Sequence, residues 1–344
     1  MGSTSYSDSI YTSRVAHHKA AGTSYFTHDA SIKSGTIAAG VHASLDPSGL
    51  NKAGVNIRES RDSAEHPASR AVAVLFDVTG SMGAVPMAFK DALNKLMALL
   101  VKKGYLADPH VLFGAIGDAT CDKVPLQIGQ FEGGNEMDEA LANIYLEGSG
   151  GGQQTESYEL AMYYMARHIA MDCLEKRGQK GYLFLSGDEK PYGLDPDKDG
   201  TVGVKRAEVK RLIGDSLQAD IPLAEILNDL REKFEVFWIY PKQGSYFNDA
   251  TVMDPLRKLF GQNLLVLERA DDICELIAAT IGVAEGYDIH DIGSALKDIG
   301  ADDGAIGRAT AAVAVYAKSV TGLTKSAKVD GALVDVGADS VDRL

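Results

Sequence analysis

The chain has 344 residues, with 34 basic against 48 acidic side chains and a formal charge of -14. That length holds one core-bearing domain of about 200 residues plus flanking segments. The acidic balance argues against nucleic acid as a main partner, because phosphate binding draws on clustered Lys and Arg.

Residues 1–67 read as an N-terminal arm. They are rich in Ser, Ala, Gly and His and carry five of the eight histidines, at 17, 18, 28, 42 and 66. Without cysteines or close pairing, these histidines suit solvent better than zinc. Over residues 1–70, seven basic and six acidic side chains nearly balance. Apolar residues are sparse there, so the arm is expected to lie over a neighbouring surface or to be partly irregular. Arg61-Asp62-Ser-Ala-Glu65-His66-Pro67 leads straight into the first strand and pins the arm to the domain.

The domain itself is expected over residues 68–287. Ala71 to Phe76 is continuously apolar, as in a parallel strand covered on both faces. A helix follows from near Gly83, with Met87, Leu93, Leu96, Met97 and Leu100 as its apolar stripe, and stops at Lys102-Lys103-Gly104. His110 to Gly117 is the second strand, Gly117-Asp118 suits a turn, and Val124 to Phe131 reads as an antiparallel edge strand. After glycines 148–152, Thr155 opens a long helix to about Lys176, on which His168 is a packing residue. Tyr182 to Ser186 is a buried strand. Ile221 to Phe234 reads as a helix, Glu235 to Tyr240 as a strand with Trp238 in its core, and Val252 to Phe260 as a helix. Leu264 to Leu267 is the last strand, and Asp271 to Ala284 the last helix of the domain. This alternation implies an α/β fold: a doubly wound, Rossmann-like, mostly parallel six-stranded sheet with one antiparallel edge strand and helices on both faces. Residues 288–344 read as a helical or flexible extension, with helical patches at Ser294 to Ile299 and Ala305 to Ser319 and a tail over the last two dozen residues.

The chemistry concentrates at Val74-Leu-Phe-Asp77-Val-Thr79-Gly-Ser81-Met82. A buried strand stops at a carboxylate, and two hydroxyls follow at alternate positions through a Gly80 turn. Such a set of small oxygen donors suits a hard cation. The segment resembles the von Willebrand factor A domain, whose metal-ion-dependent adhesion site is written Asp-x-Ser-x-Ser, with Thr79 here replacing the middle Ser. The resemblance covers roughly residues 68–287. It implies Mg2+, replaceable by Mn2+, held by Asp77, Thr79 and Ser81, with Thr155 from a second loop and Asp188 from a third. The third loop departs from the family's Thr-Asp-Gly: it reads Ser186-Gly187-Asp188-Glu189, so Glu189 competes with Asp188. Thr155 has a plainer reading as a helix cap.

A second candidate cation loop is Asp195-Pro-Asp197-Lys-Asp199-Gly200-Thr201. Acids at positions 1, 3 and 5 with Gly at 6 copy the start of an EF-hand loop and would suit Ca2+, with Asp195, Asp197, Asp199 and Thr201 as donors. Position 12 is Arg206 instead of Glu, so the alternative is a polar surface turn.

A divalent ion held by neutral hydroxyls and few carboxylates keeps positive charge and an open position, which the resemblance fills with an Asp or Glu from a partner protein. Stand-alone members of the family accompany MoxR-type AAA+ ATPases, so an adaptor or chaperone-like partner of such an ATPase is the implied role. The alternatives are a structural, self-assembling protein joined through its arms, and a Mg2+-dependent phosphotransferase. The latter lacks the second Asp two residues after Asp77, and no nucleophile elbow, Walker loop or dinucleotide-binding turn occurs. An enzyme is therefore not expected. Neither a secretory signal, a lipidation motif nor a membrane-spanning run is visible, and Cys121, Cys173 and Cys274 lie far apart. A cytoplasmic address with free thiols follows as the expectation.

Overall fold

The computed structural model describes residues 6–51, 53–148 and 154–332, the last of these by backbone alone beyond residue 320. At its centre is a mixed α/β arrangement with a six-stranded, mostly parallel sheet. The strands are β1 (Ser69–Asp77), β2 (Asp108–Ile116), β3 (Leu126–Ile128), β4 (Gly181–Ser186), β5 (Phe234–Pro241) and β6 (Leu264–Leu267). They lie side by side in the order β6-β5-β4-β1-β2-β3, and only the short β3 runs antiparallel, against β2. Successive connections run outward from β1 to β2 on one side and from β4 to β5 and β6 on the other. The order therefore reverses between β1 and β4.

Both faces of β1 are covered, which is why its sequence is unbroken apolar rather than alternating. Val72, Val74 and Phe76 join one core cluster, and Ala71, Ala73 and Leu75 join the other. The first cluster is closed by the helices Ala84–Met97 and Ile273–Ala284, together with Asp303–Ala332. The helices Tyr158–Arg167, Leu223–Lys233 and Ala250–Phe260 close the second. Trp238 is fully buried within β5, and its indole N–H donates to Gly187 O at 3.1 Å.

The arm is more ordered than its composition suggests. It forms the helices Asp8–Ala21 and Thr27–Lys33, and it buries Tyr11, Tyr25, Phe26 and Leu45 in the first cluster. A few large side chains supply the apolar area that a tally of residue types misses. The Tyr25 hydroxyl donates to the Asp138 carboxylate, which Arg14 pairs at 3.0 Å. The Arg61–Pro67 segment is pinned by ion pairs from Arg61 to Asp172 at 2.8 Å and from Asp62 to Arg177 at 2.7 Å.

Several boundaries differ from the sequence reading. Met87 is 42% exposed and lies outside the stripe that buries Leu93, Leu96, Met97 and Leu100. Of the helix expected from Thr155 to Lys176, Tyr158–Arg167 and the single turn Asp172–Glu175 are helical. Ile169–Met171 leaves it as a strand pairing in parallel with Arg58–Ser60 of the arm. His168 marks the break, held by Asn56 O at 2.6 Å and Asp215 Oδ2 at 2.7 Å. At the C-terminal end the helix Asp303–Ala332 continues where a tail was expected, and it packs Ala305, Ala309, Val313 and Tyr316 onto the core. The remainder of the expected tail, residues 333–344, lies outside the described residues. No helix among the described residues is long and apolar enough to cross a membrane.

Candidate functional site

The carboxyl end of β1 is where the sheet order reverses, and crevices of this kind admit ligands between the loops of diverging connections. Asp77 is the last residue of β1 and is fully buried. Its Oδ1 accepts the Thr79 N–H at 2.7 Å and the Thr79 hydroxyl at 2.6 Å, while Oδ2 accepts the Tyr158 hydroxyl at 2.9 Å. Side-chain capping of the backbone two residues on is how a strand ending in Asp turns sharply. One turn further, Ser81 donates from its hydroxyl to Asp188 Oδ1 at 3.1 Å. Asp188 follows the end of β4, and its Oδ2 accepts Ser245 N–H at 2.6 Å. Two glycines permit this closeness. A Cβ on Gly187 would overlap the Tyr158 hydroxyl, and one on Gly244 would overlap Asp188 Cβ.

Of the sequence-predicted metal set, the structure brings together Asp77, Thr79, Ser81 and Asp188. Thr155 makes none of these hydrogen bonds. It sits on a two-residue strand, Thr155–Glu156, paired with Lys190–Pro191, and its hydroxyl lies against the Tyr192 phenol. The helix begins three residues later at Tyr158, and Ser157, its preceding residue, uses its hydroxyl to accept Ala119 N–H at 2.9 Å. The competitor Glu189 is buried beside the set.

Three residues at this rim were not assigned to the site from sequence. Asp118, read as a turn residue, is fully buried at the carboxyl end of β2 and accepts the Tyr192 hydroxyl at 3.0 Å. An acid directly after a parallel strand is the placement that made Asp77 conspicuous, and the same signal could have found it. Glu156 is 2% exposed and faces Asp77 and Glu189. It is put there by non-local pairing, which leaves no local trace. Tyr158 was read only as part of a helical packing stripe, yet its hydroxyl reaches Asp77.

The electrostatics of the rim are those of acids crowded out of water. Burial, with the Asp188 charge added, pushes Asp77 up to about 7 against the opposing Thr79 hydrogen bonds. Burial also raises Asp188, and it pushes Glu189 to about 8 and Glu156 to about 11, each further raised by Asp77. Among the described residues no Lys or Arg forms an ion pair with Asp77, Glu156, Asp188 or Glu189. A site with surplus negative charge, hydroxyls alongside and no basic partner fits a hard divalent cation. No three Asp, Glu, His or Cys side chains among the described residues are placed to ligate an ion by themselves, so an ion here would draw on hydroxyls and water as well.

The Asp195–Thr201 loop is built differently. Its acids diverge around a helical turn, Pro196–Asp199, that ends at Gly200 in the left-handed region at φ 68°. Asp199 accepts Gly193 N–H at 2.9 Å and Thr201 N–H at 3.1 Å. Asp195 pairs with Lys198 at 2.9 Å, Asp197 is exposed, and the Thr201 hydroxyl contacts Gly203. The four residues expected to surround Ca2+ are not gathered about one point.

No protein-family model and no curated protein sequence matches the chain. Among solved structures it is similar to the pilus adhesin SpaC from Lactobacillus rhamnosus GG in its open conformation. The TM-score is 0.40 at 11% identity, over 70% of this chain and 31% of the adhesin. A second form of that adhesin gives 0.38 at 13% identity, over 65% and 30%. The chain thus spans less than a third of the adhesin's length, and so distant a likeness carries no argument about activity.

Proposed function

We propose that the chain is a metal-dependent protein-binding module whose Mg2+ site is formed by Asp77, Thr79, Ser81 and Asp188. The fold, on this reading, is a doubly wound, Rossmann-like sheet of the von Willebrand factor A type. The observation that carries the proposal is the rim itself. A carboxylate at the end of the central strand, hydroxyls two and four residues on, and a second acid just after β4 converge at the reversal of strand order, without a basic side chain among the described residues paired to either acid. A bound ion would supply residual positive charge and an open coordination position. The chain's own residues would orient it: Tyr158 and the Thr79 N–H fix the Asp77 carboxylate, and the Ser245 N–H fixes Asp188. A carboxylate from a partner protein is the matching ligand.

The role as adaptor or chaperone-like companion of a MoxR-type AAA+ ATPase rests on the resemblance of the Asp77–Ser81 segment. The cytoplasmic address rests on three cysteines that form no disulfide, two of them buried. Mn2+ binding read from the loss of the free-ion electron paramagnetic resonance signal tests the site, and affinity capture with wild type and Asp77→Ala, each with and without EDTA, tests the role. Wild type should bind Mn2+ and retain a partner only without chelator, and Asp77→Ala should lose the ion held at Asp77 and the partner with it. Equal capture by both proteins in EDTA would disconnect the rim from binding.

A further inference from the structure

Beside the Asp77–Asp188 pair lies a second acidic couple that the proposed site does not use. The two-residue ribbon sets Glu156 beside Pro191, two residues from Glu189, and the two carboxyls meet. Both side chains are more than nine-tenths buried, Glu156 at 2% and Glu189 at 8% exposed. Each keeps one carboxyl oxygen, Oε2 in both cases, buried with no hydrogen-bond partner. The lysine that follows Glu189, Lys190, does not neutralise either. Its ammonium is directed to Asp195, 3.9 Å away.

Two facing acids with orphaned oxygens, and no basic partner among the described residues, hold protons unless positive charge from outside the chain stabilises their ionised forms. Charge accounting across the rim points the same way. Fully ionised, as ligands to cations would be, Asp77, Asp118, Glu156, Asp188 and Glu189 would carry five formal negative charges. A single divalent ion would leave an excess of three, which repels an incoming carboxylate, whereas a second reduces the excess to one. Ions of the Mg2+ class are commonly held by one or two carboxylates with the remaining positions filled by water, so a pair of glutamates suffices.

We infer that the rim is a two-cation site, in which a second hard divalent ion binds between the carboxylates of Glu156 and Glu189. The inference rests on reading the Asp77 set as the first cation site. It deepens that reading by giving the rim the positive charge needed to accept an acidic ligand.

Equilibrium dialysis of the full chain against Mn2+ alone tests it, with ion content measured per chain. Wild type should bind two ions and Glu156→Gln/Glu189→Gln one. Asp77→Ala should lose the first ion. Because Gln preserves shape and removes buried like charge, the double variant is expected to stay folded, which its thermal melt checks, and Glu189→Gln alone provides a milder version with a weakened second ion. One ion in wild type and one in the double variant overturns the inference while leaving the first site standing. Two ions in both proteins also overturns it, placing the second ion elsewhere. No ion in wild type removes both readings.

Discussion

The loops at Asp77–Ser81 and at Asp195–Thr201 are built from the same residue types, acids alternating with small and hydroxyl residues around a glycine, and they end in opposite states. In the second loop every folded demand is met internally. Asp199 caps two backbone N–H groups, Asp195 has Lys198, and Asp197 faces water. In the first, the acids are buried at a sheet rim and supplied with hydrogen-bond donors but with no basic partner. On the proposed reading, what separates the rim from a polar turn is the burial of acids that the surrounding fold imposes, rather than the spacing of the acids.

The largest effect is expected from Asp77→Ala, which should weaken Mn2+ binding at least about 100-fold, because it removes a first ligand and leaves the rest of the rim without its centre. The matching double variant Asp197→Ala/Asp199→Ala should leave the Mn2+ isotherm and the Ca2+ calorimetric trace unchanged. A calorimetric loss in the second case would make the two loops alike.

Next comes pH. Asp77 and Glu189, raised to about 7 and about 8 in the folded chain, hold their protons more tightly than in the unfolded chain, where carboxyls ionise near pH 4. With respect to these groups, metal-free stability is greatest below about pH 4, falls as pH rises and levels off above about pH 8. Melting in EDTA should therefore show a loss on the order of a few kcal/mol between pH 5 and pH 8. Added Mg2+, which competes with those protons, should reverse the slope. A flat profile in EDTA would mean that the rim carries no electrostatic burden.

Smaller again is Tyr158→Phe. It deletes the hydroxyl that donates to Asp77 Oδ2 and should weaken Mn2+ binding about tenfold, as loss of a partner orienting a metal ligand does. Smallest are the single changes in the other loop. Asp199→Ala should cost about 1–2 kcal/mol by stranding the Gly193 and Thr201 N–H groups, and Asp197→Ala should fall within about 0.5 kcal/mol of wild type. Denaturant unfolding separates the two.

Much of the central sheet was legible because its strands are buried on both faces and read as unbroken apolar runs, as in Val72 to Phe76 and Val236 to Tyr240. The edge strand was harder to delimit: Val124 to Phe131 was expected, and the regular strand is Leu126–Ile128, with hydrogen bonds between Pro125 and Gly117 and between Gly129 and Phe113 on either side and an isolated bridge at Glu132. Thr155 to Lys176 failed for a different reason. Its apolar residues do recur at helical spacing, but the arm's Arg58–Ser60 captures Ile169–Met171 as a parallel partner, an event over a hundred residues away in sequence. The same kind of non-local pairing lifted Glu156 into the rim. Three of the four proposed ligands, Asp77, Thr79 and Ser81, were thus written in five consecutive residues, and Asp188 and Asp118 sit just past apolar strands, while Glu156 depended on pairing that no local pattern records.

The claim that the buried rim is short of positive charge is tested most directly by crystals of the full chain grown in millimolar Mn2+ and measured at the manganese edge. The account predicts an anomalous peak among Asp77, Ser81 and Asp188, with the Ser81–Asp188 hydrogen bond opened to admit it. Clean density with no peak there, and Ser81 still bonded to Asp188, would contradict it.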